Sequence, residues 1–106
     1  MLYEDEDVVA FMDAFPNVLG HTLVVPKKHF NDIFDIDDNT LLKMYSVARG
    51  LSKDIMGKLD KNSCTFLFNY GEDQAIKHIH LHILPNYLKR EKITKSNDEV
   101  YDILKG

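Results

Sequence analysis

Short apolar runs bounded by turn residues alternate with one long amphipathic stretch along this chain. Residues 8–12 (Val-Val-Ala-Phe-Met) follow an acidic opening and read as a strand. Residues 15–20 carry Pro16, Asn17 and Gly20 and read as a turn. Residues 21–25 are β-branched and run into Pro26, which stops a strand because it has no N–H to give the ladder. Residues 27–34 are mixed and predict a loop. The N-cap candidates Asp37, Asp38, Asn39 and Thr40 come next. Behind them Leu41, Met44, Tyr45, Ala48, Leu51, Ile55, Met56 and Leu59 step by three and four, so one face of a long helix is apolar; Lys43, Arg49, Lys53 and Asp54 fall on the other. Gly50 and Gly57 each weaken it by about 1 kcal/mol, too little to overturn so long a stripe. Residues 64–68 predict a third strand, residues 69–73 a turn, and residues 76–84 a fourth strand ended by Pro85. Residues 98–104 predict a short terminal helix. Sequence-adjacent strands joined by short turns favour antiparallel pairing, and the class is α+β: an antiparallel sheet of about five strands, a long helix covering one face, and a short C-terminal helix.

Length and charge narrow this picture. At 106 residues the chain is expected to form one domain over residues 1–106, with residues 90–106 as a tail bearing the short helix. The net charge of -4 argues against a general nucleic-acid or anionic-membrane binder, because both need a basic surface. No apolar run reaches the roughly 18 residues of a membrane span. Residues 1–7 are acidic where a secretory signal would be basic and then apolar. The single Cys64 allows neither an intrachain disulfide nor a multi-cysteine zinc site, and the expected compartment is the cytoplasm. Cys64 itself reads as a small buried hydrophobe.

Of the five histidines, three fall in the run Lys77-His78-Ile79-His80-Leu81-His82-Ile83-Leu84-Pro85. With a side-chain period of two, a strand here puts His78, His80 and His82 on one face and Ile79, Leu81 and Ile83 on the other. Three readings compete. The row is a polar strand face; or it is a metal site, since imidazole is the commonest metal ligand, with Glu72 and Asp73 the acids nearest in sequence; or it performs nucleophilic catalysis at phosphorus. A neutral imidazole is a good nucleophile near pH 7, and its neighbours can hydrogen-bond phosphate oxygens and assist a leaving group.

Residues 78–84 resemble the His-φ-His-φ-His-φ-φ pattern of the histidine triad (HIT) family, where φ is apolar. Gly20-His21-Thr22-Leu23-Val24-Val25-Pro26-Lys27-Lys28-His29 is similar to that family's Gly-His-x-Leu-φ-φ-Pro-Lys-x-His segment. Tyr3-Glu4-Asp5 with Ala10-Phe11-Met12-Asp13, and Asn69-x-Gly71 upstream of Gln74, complete four blocks in the family's order. The resemblance implies a nucleotide hydrolase or transferase of the nucleoside phosphoramidase and dinucleoside polyphosphate hydrolase type, acting at an α-phosphate. It implies His80 as nucleophile through a nucleotidyl-histidine intermediate, His82 hydrogen-bonding phosphate or leaving group, His78 orienting the nucleophile partly through its backbone carbonyl, and His21 joining from the neighbouring strand. Asp13 would accept from the ribose hydroxyls, Phe11 and Ala14 would lie near sugar and base, and Asn69 and Gln74 would touch phosphate, with Ala75 beside them. It implies no metal, no cofactor, a purine mononucleotide-like ligand and a twofold homodimer in which the sheets join.

Two departures bear on that expectation. The segment between Gly71 and Gln74 is short and lacks a glycine directly before Gln74, and Ala75 stands where the family carries a hydroxyl. Many relatives also carry an N-terminal segment forming part of the base pocket, which implies looser base selection here. Nucleotide or partner binding with weak turnover, and histidine-based metal binding, therefore stay open beside the hydrolase. Without the resemblance, Asp13 and Asn69 read as turn residues, Lys27 and Lys28 as solvated, His29 as a surface or structural residue, and residues 89–92 as a solvated tail.

Overall fold

The computed structural model describes residues 1–106. Five strands, β1 (Tyr3–Glu4), β2 (Val8–Met12), β3 (Thr22–Pro26), β4 (Cys64–Leu67) and β5 (Leu81–Pro85), form one antiparallel sheet in the order β1-β2-β3-β5-β4. Helix α1 (Asp38–Leu59) crosses between β3 and β4, and α2 (Asn97–Lys105) ends the chain. A single 3₁₀ turn occupies Gly71–Asp73 and another Tyr87–Lys89.

Helix α1 begins where the carboxylate of Asp37 accepts from the Thr40 N–H at 3.0 Å, occupying an otherwise unpaired donor of the first turn. It ends at Asp60, whose left-handed backbone (φ 56°) lets its N–H return to the Met56 carbonyl. Met44, Ala48, Ser52 and Ile55 are its buried positions. Tyr45 departs from the predicted stripe: it is 44% exposed and meets the edge of the Phe68 ring instead, because it lies at the margin of the face toward β4. Val8, Ala10, Val24, Leu81 and Ile83 face Met44 and Ala48 in the main core, so α1 covers one face of the sheet. Truncating a buried residue such as Met44 or Ile83 to Ala would cost about 2–5 kcal/mol.

The registers align the opposite face. Phe11 pairs with Leu23, Leu23 with His82, and His82 with Leu67. Four strands thus carry Phe11, Leu23, His82 and Leu67 in one row, with Phe11 about 10 Å from His82 at two strand spacings. Residues 13–20 return the chain from β2 to β3 through Gly20, at φ +85°. A Cβ there would sit 2.7 Å from Leu59 Cδ1 and 3.3 Å from Ile55 Cγ2, so the turn presses against the end of α1 in a conformation suited to glycine.

Helix α2 starts with a reciprocal capping box between Ser96 and Glu99. Val100 and Leu104 are buried against Ile55, with Met12 and Leu19 packed around them. Helix α2 is therefore seated on α1 and on the β2–β3 turn, while residues 89–92 are exposed as expected. Glu91 binds Lys61 and Asn86.

The predicted strand over residues 76–84 is corrected: β5 starts at Leu81. Its pairing with β3 stops at Val24–Leu81, and that with β4 stops at Leu67–His82. Farther along β3 lies Pro26, with no N–H to offer, and β4 has already ended, so residues 76–80 have no ladder to join. A lone backbone bond, Ile79 N–H to the Phe30 carbonyl, carries the chain in. The alternation of burial nevertheless persists: Ile79, Leu81 and Ile83 are buried while His78, His80 and His82 are half-buried.

Candidate active site

His82 stands in the sheet, on the open face of β5. His21, the residue before β3, reaches it with Nε2 at 2.8 Å from His82 Nδ1. The Asn17 backbone N–H donates to His21 Nδ1 at 3.1 Å. That nitrogen therefore carries no proton, and the His21 proton sits on Nε2 and points at His82 Nδ1. Asp13 Oδ2 lies 3.5 Å from His21 Nε2 and acts on the ring by its charge rather than by taking that proton. His82 must then carry its own proton on Nε2, and that buried Nε2–H has no hydrogen-bond partner in the protein. A buried donor left unpaired costs about 1–3 kcal/mol, which a polar ligand atom placed against it would recover.

Burial is the main force on both rings. It holds His21 below the ordinary histidine range, against the pull of Asp13. It holds His82 at about 4, helped by the nearby His21 and His80. Both are neutral at pH 7, so His82 offers a hydrogen bond there rather than a positive charge.

His80 is fixed differently. Its Nδ1 is 2.9 Å from the His78 carbonyl. A carbonyl only accepts, so Nδ1 bears the proton and Nε2 carries the free lone pair. Its ring meets that of His82 edge-on, centroids 4.9 Å apart. The two adjacent rings thus carry a lone pair on His80 Nε2 and an unpaired, buried N–H on His82 Nε2.

His78 does not share this cluster through its ring. Because residues 76–80 lie outside the ladder, the ring turns to the end of β3, where Nε2 donates to the Pro26 carbonyl at 2.8 Å. It stacks on His29 at 5.0 Å between centroids, with the two Nδ1 atoms 3.2 Å apart. The expectation of three imidazoles in one row is corrected to two in a row and a third turned away. His29, read from sequence as a surface or structural residue, proves to be the partner of His78; its place three residues beyond Pro26, where β3 ends, was the available signal.

The remaining residues are spread around this centre. Phe11 is 37% exposed on the same sheet face as His82, and Ala14 is exposed in the following turn. Asp13 Oδ1 accepts from the Phe15 N–H at 2.9 Å, which fixes the carboxylate beside His21. Asn69 is half-buried beyond β4 and Ala75 is exposed. Gln74 is buried, and its side-chain amide donates to the Asn31 carbonyl, tying the 71–74 turn to the loop after β3. Cys64 is half-buried, and burial pushes its thiol up, away from nucleophilic use.

The acid nearest the imidazoles is Asp13, brought from β2, rather than Glu72 or Asp73. Asp13, His21 and His82 place one ligand atom each within 4.8 Å of one another. A cation there would have to displace the proton from His21 Nε2 to Nδ1, where it would confront the Asn17 N–H. The hydrogen-bond pattern thus suits a proton between these rings better than a metal.

No helix in the chain is long and apolar enough to cross a membrane. The sequence profile of the HIT domain matches residues 1–89. An uncharacterized HIT-like protein from Mesomycoplasma hyorhinis is 38% identical over 91 residues, covering 84% of this chain and 82% of its own. A structure of a hypothetical histidine triad nucleotide-binding protein from Sulfolobus tokodaii superposes with a TM-score of 0.82 at 34% identity, over 97% of this chain and 76% of that one. A zinc-bound histidine triad family protein from Mycobacterium smegmatis superposes at 0.86 with 30% identity, over 97% and 78%. With the sheet, the helix and the His78-x-His80-x-His82 segment all in place, the chain belongs to the HIT family, whose members are generally nucleotide hydrolases or transferases.

Proposed function

We propose that this protein cleaves the bond between the α-phosphate of a purine nucleotide and its leaving group, as in a nucleoside phosphoramidate or a dinucleoside polyphosphate. The observation that carries the reading is the opposite protonation of two adjacent rings: a lone pair on His80 Nε2 and an unpaired N–H on His82 Nε2. His80 Nε2 attacks phosphorus, the P–N or P–O bond breaks, and the leaving group departs with its electron pair. The His82 Nε2–H holds a phosphoryl oxygen or the leaving atom and strengthens as negative charge develops. Water then attacks the nucleotidyl-histidine, the bond to His80 breaks, and the mononucleotide is released. Asp13 accepts from the ribose hydroxyls, Phe11 and Ala14 flank sugar and base, and Asn69 with the 74–75 segment borders the phosphate. The scheme requires no metal or cofactor.

The partner in this reading is a second copy. Strand β4 is a sheet edge, and the exposed Leu42, Tyr45 and Phe66 lie beside it on the α1 side. Pairing two β4 edges would cover both the unpaired backbone and these side chains. The single unpaired Cys64 accords with a reducing cytoplasm.

A second reading, nucleotide binding with weak turnover, is favoured by two observations. Ala75 offers no hydroxyl, and the Gln74 amide is already engaged by Asn31. Hydrolysis of adenosine 5′-phosphoramidate in excess EDTA separates the readings. Turnover that falls about 10³-fold or more in His80→Ala supports the covalent, metal-free route. AMP binding without turnover supports the binder, and activity that returns only with one added metal supports a metal site.

A further inference from the structure

Helix α2 lies beyond the residues that the HIT profile matches, yet it touches the site. The side-chain amide of Asn97, the first residue of α2, donates to the backbone carbonyl of Asp13 at 2.8 Å. The Asp13 N–H is already bound to the His21 carbonyl at 3.0 Å. Asp13 is thus gripped at both backbone groups, by β3 on one side and by α2 on the other. Its side chain has one oxygen on the Phe15 N–H and the other toward His21. Met12, the residue before it, packs into the cluster that α2 forms with Ile55. The capping box of Ser96 and Glu99 sets the first turn of α2, and with it the direction in which Asn97 points.

We infer that Asn97 is a positioning residue for sugar recognition: it holds the Asp13 main chain so that the carboxylate stands ready for the two ribose hydroxyls of a nucleotide. This rests on the proposed role of Asp13. An ionised carboxylate accepting two hydroxyls needs a fixed plane, and a backbone free to swing would blunt the bidentate contact. The anchoring helix is held on its own account by Val100 and Leu104, so it acts as a rigid mount.

The test is calorimetric binding of AMP and of 2′,3′-dideoxy-AMP to the full-length chain, which needs no turnover. Asn97→Ala should weaken AMP binding about three- to tenfold, as expected for a lost side-chain to backbone hydrogen bond, and leave the dideoxy ligand unchanged. Asn97→Asp keeps a residue favoured in a first helical turn but cannot donate, and should behave the same way. Met44→Ala, in the core cluster that α2 does not join, should lower the melting temperature while the preference for the ribose form persists. A wild type that prefers AMP, with Asn97 variants that weaken both ligands equally or neither, overturns the inference and leaves the Asp13 reading standing. A wild type that does not distinguish the two ligands, or binds neither, overturns the Asp13 reading and the inference with it.

Discussion

His78 and His82 stand four residues apart in one alternating motif, and their surroundings differ almost completely. His82 lies inside a ladder, paired in register with Leu23 on one side and Leu67 on the other. Its ring is locked by His21, and burial keeps it neutral. His78 lies before the ladder begins, and its ring binds the Pro26 carbonyl and the exposed His29. The sheet half of the site is held by the ladder and by the buried His21, and the loop half is held by side chains at the surface. The contrast shows that equal spacing in sequence does not confer equal roles. His82 keeps an N–H that no protein group takes up, whereas His78 spends its own on the Pro26 carbonyl and gives its carbonyl to His80.

The sharpest way to break that contrast is to remove each ring in turn. His82→Ala takes away the unpaired N–H and should lower phosphoramidate turnover by about two to three orders of magnitude, the usual effect of losing a donor to a charged transition state. His78→Ala keeps the carbonyl that binds His80 Nδ1 and should cost about tenfold or less. Single-turnover rates of the two variants decide it; equal losses would mean that both rings contact the substrate.

The sheet half can also be loosened from behind. Gly20→Ala would put a Cβ 2.7 Å from Leu59 Cδ1 in a left-handed backbone. We expect a loss of about 2 kcal/mol in urea unfolding, from strain and overpacking together. Gly71 also has a positive φ (+73°), but a Cβ there meets nothing within 4 Å. Gly71→Ala should therefore cost only the conformational part, about 1 kcal/mol. A Gly20 variant no weaker than the Gly71 variant would show that the turn yields as readily as the loop.

Acid should act on the sheet half first. Unfolded, both imidazoles titrate near 6.5; folded, burial keeps His21 below that and His82 at about 4. Between these values the unfolded chain binds more protons. The contribution to stability is full above pH 6.5 and is lost as pH falls toward about 4; for the half-buried His82, discounted for solvent screening, it is on the order of 2 kcal/mol. Urea midpoints measured from pH 7 to pH 4.5 should fall, and His82→Asn should flatten the slope. A wild-type midpoint constant over that window would mean that the rings are more hydrated than their packing implies.

What the chain discloses on reading follows the range of the forces involved. The stripe from Leu41 to Leu59, the stop at Pro26 and the alternation around His82 are local, and the fold reproduces them apart from Tyr45. The start of β5 was not legible, because it depends on how far β3 and β4 extend beside it. Strand β1 is two residues long and exists through its pairing with Ala10 and Val9. The resemblance gave Asp13 a place near the ribose, but its place beside His21 was not legible, since eight residues and a turn separate them. The contact between Asn97 and Asp13 spans 84 positions and leaves no periodic trace.

The smallest expected effect tests the loop half. His78 Nε2 donates to Pro26, so its Nδ1 carries no proton and stands 3.2 Å from His29 Nδ1, while His29 Nε2 donates to the side-chain oxygen of Asn31. That bond is 2.8 Å long, and Asn31 receives the Gln74 amide on its carbonyl. These contacts brace the segment that carries the His78 carbonyl to His80. His29→Phe retains a flat ring over His78 but cannot donate, so stacking stays and the hydrogen bond to Asn31 goes. Turnover should drop about two- to fivefold with substrate affinity unchanged, because an exposed bond of this kind is worth about 0.5–1 kcal/mol. A drop comparable to that of His82→Ala would place His29 in direct contact with substrate and remove the distinction between the two halves.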